Sequence, residues 1–79
     1  MNSFDAACQK LSAAIRNCAT TTAEEAKADL TAVCYKPSQV RCGLSRVRRE
    51  VRNNAATLYS SGDPEGARAI LQLAAEICG

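Results

Sequence analysis

The chain has no histidine and no tryptophan, and its 79 residues include only three aromatics, Phe4, Tyr35 and Tyr59. Without histidine there can be no Ser–His or Cys–His nucleophilic pair and no histidine-containing metal site. No two cysteines have the Cys-x-x-Cys spacing of zinc ribbons and thioredoxin-like sites. The four glycines do not cluster, so no phosphate-binding loop is visible. These absences predict a protein that is not an enzyme and uses no cofactor or metal.

Long apolar runs are also missing, and none approaches the ~18 residues of a membrane span. The segment Met1–Asp5 lacks the basic stretch and following apolar run of a secretory signal. We therefore expect a compact cytoplasmic domain with no membrane contact. In that compartment the five cysteines are expected to be reduced thiols.

The length predicts a single helical domain over residues 1–79, near the lower size limit for folding on one core. Alanine supplies much of the apolar content, and an alanine-rich core buries little area per residue. The expected stability is modest, or it is supplemented by a homodimer interface or a disulfide.

Apolar residues recur at helical spacing in four stripes, and no segment alternates with period two. The stripes are Phe4, Ala7, Cys8, Leu11, Ala14, Ile15 and Cys18; Ala23, Ala26, Leu30, Val33 and Cys34; Val40, Leu44, Val47, Val51, Ala55 and Leu58; and Ala67, Ile70, Leu71, Ala74, Ile77 and Cys78. The pattern predicts an all-α fold, a compact bundle of about four short helices.

Local signals predict where the first two helices begin and end. Ser3 is positioned to cap the first helix. Thr22 and Glu25 have the spacing of a capping box for the second. Pro37 should end the second helix, because the residue before a proline disfavours helical backbone.

The last two helices carry similar signals. Ser38 is the expected cap of the third helix, although Gly43 should weaken its start and move the beginning towards Ser45. Gly62 suits the left-handed residue that closes a helix. Asp63-Pro64-Glu65 reads as a cap followed by a first-turn proline for the fourth helix.

The charge distribution is strongly uneven. Between residues 36 and 52 there are six bases and a single acid, Glu50, giving +5, while the remaining four bases and seven acids give −3. The six bases, our candidate partner-binding residues, are Lys36, Arg41, Arg46, Arg48, Arg49 and Arg52. This segment is where we expect a partner to bind.

A helical wheel from Leu44 to Leu58 places Arg48, Arg49 and Arg52 opposite the apolar stripe. Arg41 joins them if the helix starts early, and Arg46 lies apart. The planar fork of arginine suits carboxylates and phosphates, so the partner is either a protein complex with an acidic surface or nucleic acid. The alternative is a solvated face with local pairs such as Arg46–Glu50. The scarcity of aromatics argues against a single-strand binder.

Four cysteines, Cys8, Cys18, Cys34 and Cys78, fall on apolar stripes. Their expected role is that of small core residues, with interhelical disulfides as the alternative. Cys42 falls off the stripe and among arginines, which would lower the pKa of an exposed thiol. Cys42 is therefore the candidate reactive thiol.

The segment from Ala55 to Ile77 resembles one tetratricopeptide-type helix pair. The matching residues are Ala55, Leu58, Gly62, Asp63, Ala67, Leu71 and Ala74. The resemblance implies two closely packed helices that hold another protein. It covers about a third of the chain, Val51 stands where the family usually has an aromatic, and a single repeat cannot bury its faces alone.

The segment from Ala23 to Val51 loosely resembles a helix-turn-helix, which would place the helix from Ser38 in the major groove of DNA. Arg41, Arg46 and Arg48 would then be the contacting residues. The turn lacks a central glycine, and Gly43 interrupts the second helix.

The composition and the basic segment together favour a small binding protein. We expect a regulator or inhibitor of a larger complex, of the kind that phages and mobile elements use against host defence. A helix-turn-helix-like DNA binder, and a structural or chaperone-like subunit, are the alternatives. Dimerisation is compatible with each of them.

Overall fold

The structure, a computed structural model, describes residues 2–79 and contains four α-helices. They are α1 (Ser3–Arg16), α2 (Thr20–Val33), α3 (Pro37–Ser60) and α4 (Pro64–Cys78). No strand occurs between residues 2 and 79. The predicted all-α fold with four helices is confirmed. Over the same residues, no helix combines the length and apolarity that crossing a membrane demands.

The four helices form two pairs. α1 packs chiefly on α2, α3 packs chiefly on α4, and contacts between α1 and α3 join the pairs. Helices α2 and α3 are consecutive in the chain but make few contacts with each other. The two pairs therefore meet chiefly along α1 and α3.

The core follows the predicted stripes, but Val33 is exposed, and on the fourth helix Leu73 is buried whereas the predicted Leu71 is half-buried. Its largest fully buried side chains are Leu11, Ile15, Leu30 and Ile70, with Val47 and Val51 from α3. Alanines from all four helices occupy many of the other buried positions, which lets the helices approach closely, and Cys8, Leu73, Ile77 and Cys78 complete the core. Burial of this one connected cluster is the main stabilising contribution.

The start of α3 differs from the sequence prediction. The helix begins at Pro37 rather than near Ser45, and Gly43 lies buried in its interior. A Cβ at Gly43 would stand 3.1 Å from Leu30 Cδ2 and 3.3 Å from Phe4 Cε1. The missing side chain of Gly43 therefore lets α3 approach Leu30 of α2 and Phe4 of α1 closely. Its low helix propensity is outweighed by packing on both sides.

The predicted cap Ser38 is also wrong, because Lys36 is the N-cap and Pro37 the first helical residue. The side-chain oxygen of Gln39 accepts hydrogen bonds from the backbone N–H of Tyr35 at 2.6 Å and of Lys36 at 3.3 Å. Proline suits the first helical position because its backbone nitrogen has no hydrogen to leave unpaired. The Gln39 side chain thus satisfies two backbone N–H donors of the loop that precedes the helix.

Two caps of the first helical pair differ as well. Asn2, not Ser3, caps α1, and its Oδ1 accepts from the backbone N–H of Asp5 at 2.8 Å. The Thr22–Glu25 capping box is absent because α2 already begins at Thr20. At Thr20 the backbone passes from the α1–α2 turn into α2. The backbone N–H of Ala23 donates a hydrogen bond to the Ala19 carbonyl at 2.8 Å, which forms the first turn of that helix.

The predicted residues at the end of α3 and the start of α4 are confirmed. Gly62 has φ +88°, the left-handed conformation expected of a residue that follows a helix. Asp63 caps α4, with its Oδ1 accepting from Gly66 N–H at 3.0 Å, and Pro64 is the first helical residue.

The cysteines divide by position. Cys8 and Cys78 are buried core residues as predicted, and Cys34 is half-buried. Cys18 was expected on the apolar stripe but lies exposed in the α1–α2 turn with φ 55°. Helix α1 ends at Arg16, so the helical spacing no longer governs where Cys18 points. All five thiols are free.

Candidate binding surface

The outer side of α3 is the most basic surface of the domain. The helix begins early enough for Arg41 to share one side with Arg48 and Arg52, at spacings of seven and four residues. Arg49 adjoins them. We call these four residues, Arg41, Arg48, Arg49 and Arg52, the arginine strip. From Arg41 to Arg52 it extends about 17 Å along the helix axis.

Three members of the strip are exposed: Arg41, Arg49 and Arg52. Within residues 2–79 their side chains make no hydrogen bond or ion pair, and neither does the ammonium of Lys36. Each arginine therefore keeps a full set of planar donors for an external acceptor.

Arg46 has a different role from the strip. One of its terminal nitrogens contacts Asp5 Oδ1 at 2.6 Å, and its Nε donates to Glu50 Oε1 at 3.2 Å. The hydrogen bond to Asp5, and then that to Glu50, raise the pKa of Arg46 above its ordinary value. The Arg46–Glu50 pair that the sequence suggested is present, and the contact with Asp5 joins α1 to α3.

Arg48 links the strip to the end of α4. It donates to the Cys78 carbonyl at 2.7 Å and to Ser45 Oγ at 3.1 Å, and it is half-buried. A cation at this place complements the negative end of the α4 dipole. Two of its five donors are used, so Arg48 is held in position while the others stay available.

No carboxylate interrupts the strip. Glu50 is the only acid of α3, and it turns away to pair with Arg46. An exposed tyrosine stands near each end of the helix: Tyr35 is 94% exposed and Tyr59 is 47% exposed. Tyr59 lies seven residues after Arg52, a spacing that places both residues on one side of the helix.

Cys42 is exposed, as its position off the apolar stripe predicted. It lies at the edge of an open cavity of 680 Å³, whose apolar lining comes from Phe4, Ala32 and Val33. Tyr35 stands at the same cavity. Reactivity of the Cys42 thiol stays a prediction.

A metal site is not visible in the described part of the chain. Residues 2–79 contain no group of three or more cysteine, aspartate or glutamate side chains placed to hold an ion.

The helix-turn-helix and tetratricopeptide expectations concern different helix pairs. The first requires α2 and α3 to act as a unit, and these two helices make few contacts. The second concerns the end of α3 and α4, which do pack together across the Gly62 turn. Comparison with protein-family models, curated proteins and solved structures finds no match to this chain, so both resemblances stay predictions.

Proposed function

We propose that this chain is a non-enzymatic binding protein that regulates or inhibits a larger complex by docking its arginine strip on an acidic protein surface. The observation that carries this proposal is the outer side of α3. It presents open guanidinium groups at Arg41, Arg49 and Arg52, with no carboxylate among them and an exposed tyrosine near each end.

A protein partner is favoured over nucleic acid by the overall charge. The net charge is only +2 and the isoelectric point about 8.4, whereas a nucleic-acid-binding domain typically has an isoelectric point above about 9. Tyrosine and arginine together are the residues enriched at the energetic centres of protein interfaces.

The rigidity of α3 supports a role in occupying a surface. Its 24 residues form one continuous helix held on both sides, through Arg46 to α1 and through Arg48 to α4. A partner that binds it therefore loses little affinity to ordering of the backbone. A small rigid domain of this kind inhibits by covering an acidic site that another molecule needs. Use of such inhibition by a phage or mobile element against host defence belongs to the same proposal.

The test compares two double variants that remove the same charge. Arg49→Gln/Arg52→Gln removes two exposed members of the strip, and Arg16→Gln/Arg68→Gln removes two exposed arginines elsewhere. The affinity of each protein is measured over a salt series for two ligands. They are a fluorescent poly-glutamate peptide and a DNA duplex of about 20 base pairs.

We expect the wild type to bind the acidic peptide more tightly than the duplex. The strip variant should lose about tenfold in affinity for the peptide, from two contacts of roughly 0.7 kcal/mol each, and the control variant should lose little. Tighter binding to the duplex, with a steep salt dependence that the strip variant reduces, would make this a nucleic-acid-binding protein. Equal losses in the two variants would show that net charge, not the strip, determines binding.

A further inference from the structure

A groove runs along one side of α3, bordered by α2 and, further along, by the end of α4. We call it the α2–α3 groove. Two cavities form it, of 480 and 490 Å³, and they share Arg41. The first extends from the α2–α3 loop at Tyr35 to Arg41, and the second continues from Arg41 to Arg48 and the end of α4. Helices α2 and α3 are joined here by a three-residue loop and make few contacts with each other, one of them between Gly43 and Leu30.

The spacing of the lining residues shows that each helix contributes one continuous side. On α2 and its cap, Lys27, Thr31 and Cys34 follow one another at intervals of four and three residues. On α3, the lining runs from Pro37 to Arg48, which is about 17 Å along the axis. This length accommodates about three turns of a helix or five extended residues.

The groove is apolar at its base and positive at its margins. Val40, Leu44 and Cys34 are half-buried, and Ile77 is buried. The charged residues that line it are Lys27, Arg41 and Arg48, with Lys36 at the loop end and Glu76 at the far end. Four cations thus face one carboxylate, and the surface complements a ligand that combines negative charge with an apolar side chain.

We propose that this α2–α3 groove receives a short acidic segment of the partner protein, with an apolar side chain against Val40 and Leu44 and its carboxylates at Lys27 and Arg41. The inference rests on the proposed function and names the part of the surface that confers specificity. Arg41 belongs both to the groove and to the arginine strip, so one partner can engage the two continuously. Lys27 lies outside the basic segment of the sequence, and only the fold brings it here.

The cysteines of the chain provide a direct readout of occupancy. Cys34 lines the groove, whereas Cys18 and Cys42 are exposed outside it. The experiment uses a synthetic peptide of about eleven residues, long enough to fill the groove as a helix, with glutamates around one leucine. Matched peptides replace the glutamates by glutamine, or the leucine by serine. Alkylation of each thiol by iodoacetamide, which is uncharged, is followed by mass spectrometry with and without peptide.

We expect the acidic leucine peptide to slow alkylation of Cys34 at least about threefold, with Cys18 and Cys42 unchanged, and both matched peptides to protect less. Lys27→Gln/Arg41→Gln should weaken peptide binding by about tenfold, as expected for the loss of two exposed charge pairs. Circular dichroism of this variant should match that of the wild type, because neither side chain makes an internal hydrogen bond or ion pair within residues 2–79.

Two results would overturn the groove while leaving the proposed function intact. One is a bound peptide that leaves Cys34 unprotected. The other is binding that Arg49→Gln/Arg52→Gln abolishes and Lys27→Gln/Arg41→Gln does not affect. Protection of Cys34 by a DNA duplex but not by the peptide would overturn the proposed occupant. Failure of every acidic peptide to bind would overturn the proposed function itself.

Discussion

Arg46 and Asp5 are 41 positions apart in the chain, yet a guanidinium nitrogen of Arg46 lies 2.6 Å from Asp5 Oδ1. Glu50, one turn further along α3, accepts a second hydrogen bond from the same guanidinium at 3.2 Å. The pair joins the first turn of α1 to the middle of α3, where the two helical pairs meet. Arg46 is thereby a structural link beside a row of arginines whose donors are open.

Replacing Arg46 by glutamine should lower the melting temperature by a few degrees, because it separates two carboxylates from their shared cation. Lys10→Gln is the matched control, since it removes the Lys10–Asp29 pair at 3.1 Å, whose two side chains are each 57% exposed. A pair so exposed contributes little to stability. Thermal unfolding followed by circular dichroism distinguishes the two, and an equal effect of both variants would contradict the structural role of Arg46.

Gly43 should tolerate alanine but not a larger side chain. Alanine adds about 1 kcal/mol of helix propensity, and its Cβ requires Leu30 and Phe4 to move by a few tenths of an ångström. We expect the free energy of unfolding to change by less than about 1 kcal/mol for Gly43→Ala, and to fall by about 2 kcal/mol or more for Gly43→Leu. Urea unfolding measures both. A stabilising leucine would show that α2 and α3 are not in close contact at this point.

Ser12 is a buried polar residue whose removal should stabilise the protein. It is fully buried, and its hydroxyl oxygen has no hydrogen-bond partner within residues 2–79. An unpaired buried hydroxyl costs about 1 kcal/mol or more, so Ser12→Ala should raise the free energy of unfolding by about that amount. The exposed residue Ser60 provides a control, since Ser60→Ala should change little. A loss of stability in Ser12→Ala would mean that the hydroxyl is hydrogen-bonded in solution.

The two buried thiols should make stability fall at alkaline pH. Burial raises the pKa of Cys8, opposed by the nearby Arg46, and burial raises the pKa of Cys78, opposed by Arg48 and Lys27. The unfolded chain therefore ionises these thiols first. Their contribution is fully present below the unfolded pKa of about 8.5 and is lost as pH rises through the higher folded value.

Melting temperatures under reducing conditions between about pH 7 and pH 10 test this dependence. Cys78→Ala should flatten part of the decline relative to the wild type, although it lowers the stability at pH 7 by leaving a small cavity. Cys18→Ala, at an exposed thiol, should leave the pH dependence unchanged. The same alkaline decline in Cys78→Ala as in the wild type would assign it to other groups.

The sequence could predict the helices but not all of their ends. Apolar stripes such as Leu11–Ile15 and Val47–Val51 can be recognised in the sequence, because the helical spacing of buried residues is the same whichever element the helix packs against. The closing Gly62 and the cap Asp63 were correct because their roles depend on local backbone geometry. The predicted start of α3 is wrong because helix propensity disfavours glycine, whereas the contact of Gly43 with Leu30 and Phe4 is a tertiary contact that propensity does not include.

The candidate site divides in the same way. Composition and periodicity are properties of the chain, so they are sufficient to place a concentration of positive charge on one helix. Which arginines are open depends on the fold, because Asp5 engages Arg46 and the Cys78 carbonyl engages Arg48 across long sequence separations. The fold also places Lys27 and Arg41 on the lining of one cavity, because the angle between two helices depends on how their side chains pack and is not encoded in the periodicity of either one.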